Sequence, residues 1–143
     1  MGILLWLIDR FAAQRVSLDE MRWPQALAIG CAQAFALIPG VSRSGSTITA
    51  GRALRLHRES AAVFSFLLSM PITAAAAAKE VPAALHEHGL SATVLAGVIS
   101  AAISGWLAIS ILLKYVARHS YGAFAVYRVV LGVLVLALYL NHF

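Results

Sequence analysis

The sequence predicts an all-α integral membrane protein, built from one re-entrant broken-helix hairpin and three transmembrane helices. Three observations carry this. The 143 residues are 61% hydrophobic and only 12% charged, about half the roughly 25% charged fraction of an ordinary soluble domain. Three long runs, 60–78, 91–113 and 120–140, hold a single charge between them, Arg128. Two shorter apolar stretches meet at a Pro-Gly-Val-Ser-Arg-Ser-Gly-Ser-Thr break over residues 39–47. With a mean hydropathy of +0.83, residues 1–143 read as a single membrane unit without a separate soluble domain.

Taken in order, Met1 to Ile8 is an apolar run before Asp9-Arg10. It is too short for a signal-peptide core with its cleavage site and far too short to span. Residues 1–22 are therefore expected to be the end of a helix that starts upstream, followed by a cytoplasmic segment. Residues 23–42 carry no charge; Pro24 opens the run and Pro39-Gly40 closes it. Ala26 to Ile38 reads as a helix of about 20 Å at 1.5 Å rise per residue, short of a crossing. Ser46 to Leu54 reads as a second short helix ending among Arg52, Arg55 and Arg58. Together residues 23–56 form the predicted re-entrant hairpin, with Pro39 and Gly40 as its structural break. Such irregular backbone is tolerated at membrane depth only where it is buried in protein or lines a cavity. Residues 59–79 make the first span, kinked at Pro71, and residues 79–90 a loop. The span 91–113 carries Gly97, Ala101 and Gly105 at four-residue spacing, a small-residue stripe suited to close helix packing. The last span, 120–140, is interrupted by Arg128, read as snorkelling toward the cytoplasmic headgroups.

The net charge is +5 and the pI about 10.0. In a soluble protein that would raise nucleic-acid binding. Here the basic residues cluster between apolar runs, as topology signals do, so membrane lipids and no nucleic acid are the expected contacts. With the hairpin returning to its own side before three crossings, Arg10, Arg15, Arg22, Arg52, Arg55, Arg58, Lys114 and Arg118 share one face. Only Lys79 lies on the other. The basic face is predicted to be cytoplasmic, so the motif opens to the outer side. Arg52, Arg55 and Arg58 then set topology and touch anionic lipid. The lone Cys31 allows no disulfide framework and no cysteine metal site. His86-Glu87-His88 is too weak a pattern to predict a metal.

The chemistry concentrates in the break. Arg43 offers a planar fork of donors that matches phosphate oxygens, and Ser42, Ser44, Ser46 and Thr47 add hydroxyls. The N–H groups of Gly45, Ser46 and Thr47 open the second short helix, whose dipole favours an anion. No Gly-x4-Gly-Lys-Ser/Thr is present, so this is not a Walker A loop. Two readings stay open on the residues alone: an anion site, or a polar turn whose arginine pairs internally.

From Gln33 to Pro71 the sequence QAFALIPGVSRSGSTITAGRALRLHRESAAVFSFLLSMP closely resembles the second half of the undecaprenyl-diphosphate phosphatase family, the bacitracin-resistance membrane phosphatases. The family signature Pro-Gly-x-Ser-Arg-Ser-x-x-Thr is met by Pro39, Gly40, Ser42, Arg43, Ser44 and Thr47. Ala62 to Pro71 and Phe124-Ala125-x-Tyr127-Arg128 match further segments, so the resemblance covers essentially the whole chain. It implies one repeat of an inverted-repeat fold in the bacterial plasma (inner) membrane. It also implies hydrolysis of the lipid diphosphate to undecaprenyl phosphate and inorganic phosphate, with a divalent cation (Mg or Ca). Arg43, Ser42 and Ser44 would be its catalytic residues, and Arg43, Ser44, Gly45, Ser46 and Thr47 its phosphate-binding set.

The chain also departs from the family. Members have two repeats, the first with a Glu/Gln-x-x-x-Glu motif and a Ser-Gly-His-type loop. Here Glu20, Glu59, Glu80 and Glu87 are preceded at that spacing by Val16, Arg55, Ala76 and Ala83, and no acidic residue is read as lying inside a hydrophobic segment. Metal ligands, nucleophile and general base are thus expected outside this chain, in a missing N-terminal repeat or a second subunit. The alternatives are a lipid-phosphate binding or transport protein without hydrolysis, and a self-associating pseudo-enzyme. Dual topology for the latter is resisted by the charge bias.

Overall fold

The computed structural model describes residues 2–89 and 91–141, apart from the side chains at positions 84, 87, 88 and 141. It is all-helical: α1 (Gly2–Phe11), α2 (Trp23–Ala32) running into a 3₁₀ stretch (Gln33–Leu37), α3 (Arg43–Ala53), α4 (Arg58–His88), α5 (Ala92–Arg118) and α6 (Gly122–Asn141). Three of these are long and apolar enough to cross a membrane, over Arg58–Ala83, Ala92–Arg118 and Gly122–Leu140.

Local chemistry explains the starts and stops. At the head of α2, Pro24 occupies the first turn and the Gln25 side chain accepts from the Arg22 N–H at 2.9 Å, relieving a donor the helix leaves free. Just before it, Glu20 accepts from the N–H and hydroxyl of Ser17, which hold its carboxyl below the usual range. The run after α2 ends because Ile38 precedes Pro39 and is driven extended, with ψ 123°. Gly40 then turns the chain at φ +86°, where a side chain would be strained. Beyond the turn α3 packs back against α2 and the 3₁₀ stretch.

The helix α4 is longer than the span read from the sequence. It runs through Pro71 and Pro82 to His88 and replaces most of the predicted loop 79–90. The Ala74–Ala78 run has the highest helix propensity available, and each proline removes only one N–H. The Ser69 and Thr73 hydroxyls beside Pro71 donate to the carbonyls of Phe66 and Ser69 at 2.7 and 2.9 Å. Of the predicted His86-Glu87-His88 pattern, the Glu87 and His88 side chains lie outside the described residues.

The core sits at one end of the helices, where Ile29, Ile48, Leu56, Ala61, Val116 and Tyr121 meet. There α3 and α4 approach so closely that a Cβ on Gly51 would stand 3.1 Å from the Ala61 Cβ. The segment after α1 is tied in by backbone bonds. Arg15 and Val16 donate to the Arg55 carbonyl at 3.0 and 3.1 Å, and His57 donates to Val16 at 2.9 Å. Away from this end α5 and α6 are open. Nothing lies within 4 Å of a Cβ built at Gly97 or Gly105, so the small-residue stripe packs on no described residue of this chain.

Candidate functional site

The motif forms the N-terminal end of α3. Ser42 caps it: its Oγ accepts from the Gly45 N–H at 3.2 Å, and its carbonyl accepts from the N–H and hydroxyl of Ser46 at 2.9 and 3.0 Å. Thr47 is buried, and its Oγ1 donates toward the carbonyls of Arg43 and Ser44 at 3.1 and 3.2 Å while meeting Ser65 Oγ at 2.7 Å. The hydroxyls of Ser46 and Thr47 and the N–H of Gly45 therefore serve the helix itself. By helical geometry the Thr47 N–H points at the Arg43 carbonyl, and that of Ser46 is bonded to Ser42.

What faces outward differs from the expected donor set: Gly45, Ser46 and Thr47 spend their donors within the fold, and Arg43, Ser42 and Ser44 remain. The N–H groups of Arg43 and Ser44 begin the helix and have no intrahelical acceptor. Beside them are the hydroxyls of Ser42 and Ser44, with their oxygens 3.4 Å apart. The Arg43 side chain is half-buried and, among the described residues, makes no ion pair and no hydrogen bond. An N-terminal dipole, free N–H groups and an unpaired guanidinium together suit an anion.

The other end of α3 is the reverse case. Arg52 is 0% exposed and Asp9 3%. Arg52 Nε donates to Asp9 Oδ1 at 2.7 Å. Its other nitrogens donate to the carbonyls of Leu56, Asp9 and Ala12, the last two at 3.3 and 2.9 Å. Arg58 Nε adds bonds to both Asp9 oxygens at 2.9 and 3.1 Å, and the Tyr121 N–H reaches Oδ2 at 3.3 Å. Burial pushes the Tyr121 phenol well above its ordinary range, and the Asp9 charge adds to it. It stays neutral and donates to the Arg58 carbonyl at 3.0 Å.

This node corrects two sequence expectations. Arg52 and Arg58 do not stand free for lipid; they neutralise a carboxylate that joins α1, α3, α4 and the start of α6. Asp9 is not outside the apolar segments either, because the helix carries it into the core. Adjacent Arg10 hid that in the sequence, and no local pattern links position 9 to position 52.

A cavity of about 190 Å³ opens beside the motif, lined by Ser44 and Gly45 together with Leu5, Phe66, Phe124 and Arg128 among others. Arg128 was expected to reach the headgroups. Its stem lies against α1, where a Cβ at Gly2 would be 3.7 Å from Arg128 Cδ, and the residue is exposed. The sequence signal for it was only its position inside an apolar helix. Among the described residues no three His, Cys, Asp or Glu side chains group as metal ligands.

Comparison with known proteins adds a second line of evidence. Residues 1–134 match the family model described as bacitracin resistance protein BacA. The undecaprenyl-diphosphatase of Gemmatimonas aurantiaca is 61% identical over 137 residues, which are 96% of this chain and 51% of that protein. Those of Moorella thermoacetica and Thermomicrobium roseum are 47% and 46% identical, over 97% and 95% of this chain and 53% and 50% of theirs. The chain spans about half the length of the curated relatives it matches.

Proposed function

The chain belongs to the bacitracin resistance protein BacA family, and from that premise we propose that it is the C-terminal half of an undecaprenyl-diphosphate phosphatase. The reaction adds water across the phosphoanhydride, breaks one P–O bond and yields undecaprenyl phosphate and inorganic phosphate. In this reading Arg43 clamps the diphosphate through its fork. The N–H groups of Arg43 and Ser44 and the hydroxyls of Ser42 and Ser44 complete the grip. One observation carries it: Arg43 has no described partner at a capped helix N-terminus, whereas Arg52 on the same helix is saturated.

The rest of the machinery is assigned elsewhere. Hydrolysis needs an activated nucleophile and a proton path, which an arginine does not supply. The divalent cation implied by the family has no ligand set among the described residues. We place its ligands, the nucleophile and the general base in the other repeat of an inverted-repeat fold, carried by the same polypeptide or a second subunit. The chain is a multi-pass membrane protein. We assign it to the bacterial inner membrane, with α2 and α3 as a re-entrant hairpin opening to the outer side. Pairing of Arg52 and Arg58 with Asp9 still leaves Arg10, Arg15, Arg22, Arg55, Lys114 and Arg118 to hold the basic face in the cytoplasm.

The test is to co-produce this chain with the N-terminal half of the Gemmatimonas aurantiaca relative and to measure phosphate release from undecaprenyl diphosphate. Release by the pair and none by the chain alone is expected. Release by the chain alone would remove the division of labour, and no release from either preparation would remove the phosphatase reading.

A further inference from the structure

We propose that the basic end of the helices carries a site for a phospholipid with an amine-bearing headgroup: Lys114 and Arg118 take the phosphate, Glu59 takes the ammonium, and an acyl chain lies along α5. Glu59 follows Arg58, which holds Asp9, so the site is at the Arg52 end of α3 and not at the Arg43 end. It is independent of the phosphatase reading.

Two observations support it. The first is a set of opposite charges that share a cavity and do not pair. An open cavity of about 780 Å³ lies between the start of α4 and the end of α5, with Glu59 on one helix and Ser110, Lys114 and Arg118 on the other. A carboxylate in the first turn of α4 and an arginine in the last turn of α5 each suit their helix terminus. That accounts for their presence but not for their arrangement. Glu59, Lys114 and Arg118 are exposed, and among the described residues their side chains make no ion pair and no hydrogen bond. Neighbouring Arg58 does the reverse and closes on Asp9 at 2.9 Å. A space with two cations on one wall and a carboxylate on the other matches a zwitterion, whose phosphate and ammonium are joined by a short linker. A headgroup with a phosphate and no amine would meet Glu59 as a like charge.

The second is the run of α5 that leads away from the cavity. Positions 103, 107, 110, 114 and 118 recur at three- and four-residue spacing, so they share one face of the helix. The chemistry along that face changes once. Ile103 and Leu107 are apolar and exposed, Ser110 stands at the junction, and Lys114 and Arg118 follow. From Lys114 to Ile103 is about 16 Å along the helix, close to half of the roughly 30 Å hydrocarbon thickness and so the depth of one leaflet. Tyr115 and His119, stacked with ring centroids 4.6 Å apart, wall the headgroup end. Basic pockets between transmembrane helices hold lipid headgroups in this way. A soluble phosphoamine would use the charges alone, whereas a phospholipid uses the charges and the apolar strip together.

Native mass spectrometry of the detergent-solubilised chain, titrated in parallel with dioleoyl phosphatidylethanolamine and dioleoyl phosphatidylglycerol, tests this. One phosphatidylethanolamine should bind about 5-fold more tightly than phosphatidylglycerol, the worth of one partly solvated ion pair. Glu59→Gln should abolish that preference. The ratio is internal to the variant, so a lower folded fraction does not disturb it. Replacing Lys114 and Arg118 together by glutamine should weaken phosphatidylethanolamine about 10- to 30-fold. Arg10→Gln, exposed on the same basic face but outside the cavity, should leave it unchanged. Equal affinity for the two lipids, or a preference for phosphatidylglycerol, overturns the zwitterion assignment, as does a preference that survives Glu59→Gln. No loss on replacing Lys114 and Arg118, or an equal loss in Arg10→Gln, overturns the site. Free phosphoethanolamine should not displace the lipid at equal concentration; if it does, the acyl strip on α5 is wrong.

Discussion

The two ends of α3 carry arginines nine residues apart in sequence, and their surroundings are opposite. Arg52 is fully buried, with its donors spent on one carboxylate and three carbonyls. Arg43 sits half-buried on a capped N-terminus and has no partner among the described residues. Residue type therefore does not distinguish a structural arginine from one available to a ligand; the state of its donors does. The ends are also connected. A saturated node joining α1, α3, α4 and α6 holds the helix that presents the unsaturated end, so the outward donors are held in place by the fold itself. The buried ion group is a means of fixing position more than a source of stability, since burying charges costs about what their pairing returns.

The sharpest break is to remove the carboxylate. Asp9→Ala leaves Arg52 buried without its counter-charge and should cost about 3–5 kcal/mol, read from denaturant unfolding in detergent. Replacing Asp9 and Arg52 together by leucine and methionine should recover most of it. A loss below about 1 kcal/mol, as for an exposed pair, would mean that the node is solvated.

Arg43→Ala tests the opposite end. Stability should be unchanged, while undecaprenyl diphosphate binding to the chain weakens by about 1.5–3 kcal/mol, the range for hydrogen bonds to charged groups. Arg43→Lys should also weaken it, because a point charge does not reproduce the fork. If Arg43→Ala destabilises the fold as Asp9→Ala does, the contrast between the ends is lost.

Between these lies Thr47, a motif residue turned inward. Thr47→Val keeps the shape but strips Ser65 of its 2.7 Å partner. It should lower stability by about 1–3 kcal/mol, with bound-ligand affinity held. An affinity loss with stability intact would return Thr47 to the phosphate set. The smallest expected effect is that of Ser42→Ala, about 1 kcal/mol from the lost cap, measured in the same unfolding assay.

Much of this was legible locally. Ile38 before Pro39, the left-handed Gly40 and the capping Ser42 are neighbours in the chain, and their chemistry places the break and the start of α3 without reference to the rest. The extent of α4 was not legible, because the prolines at 71 and 82 read as interruptions while the alanines between them sustain the helix. The donor set was legible in kind but not in detail. The sequence shows four hydroxyls around an arginine, and only the packed helix decides which are already used. Arg128 beside Ser44 had no local signature, since their approach depends on how α6 packs on α1.

By itself, the sequence determined the membrane class, the three long apolar helices and the position of the Pro-Gly break with its arginine and hydroxyls. These follow from hydrophobic run length and from proline, glycine and capping residues, which act on their immediate neighbours. Only the tertiary structure decided that Asp9 meets Arg52, that Thr47 meets Ser65 and that Arg128 shares a cavity with the motif. Those pairings are set by helix packing, and along the chain their members are separated by 43, 18 and more than 80 residues. That is why two arginines on one helix, indistinguishable by residue type, came out one saturated in a buried ion group and the other with its donors unspent.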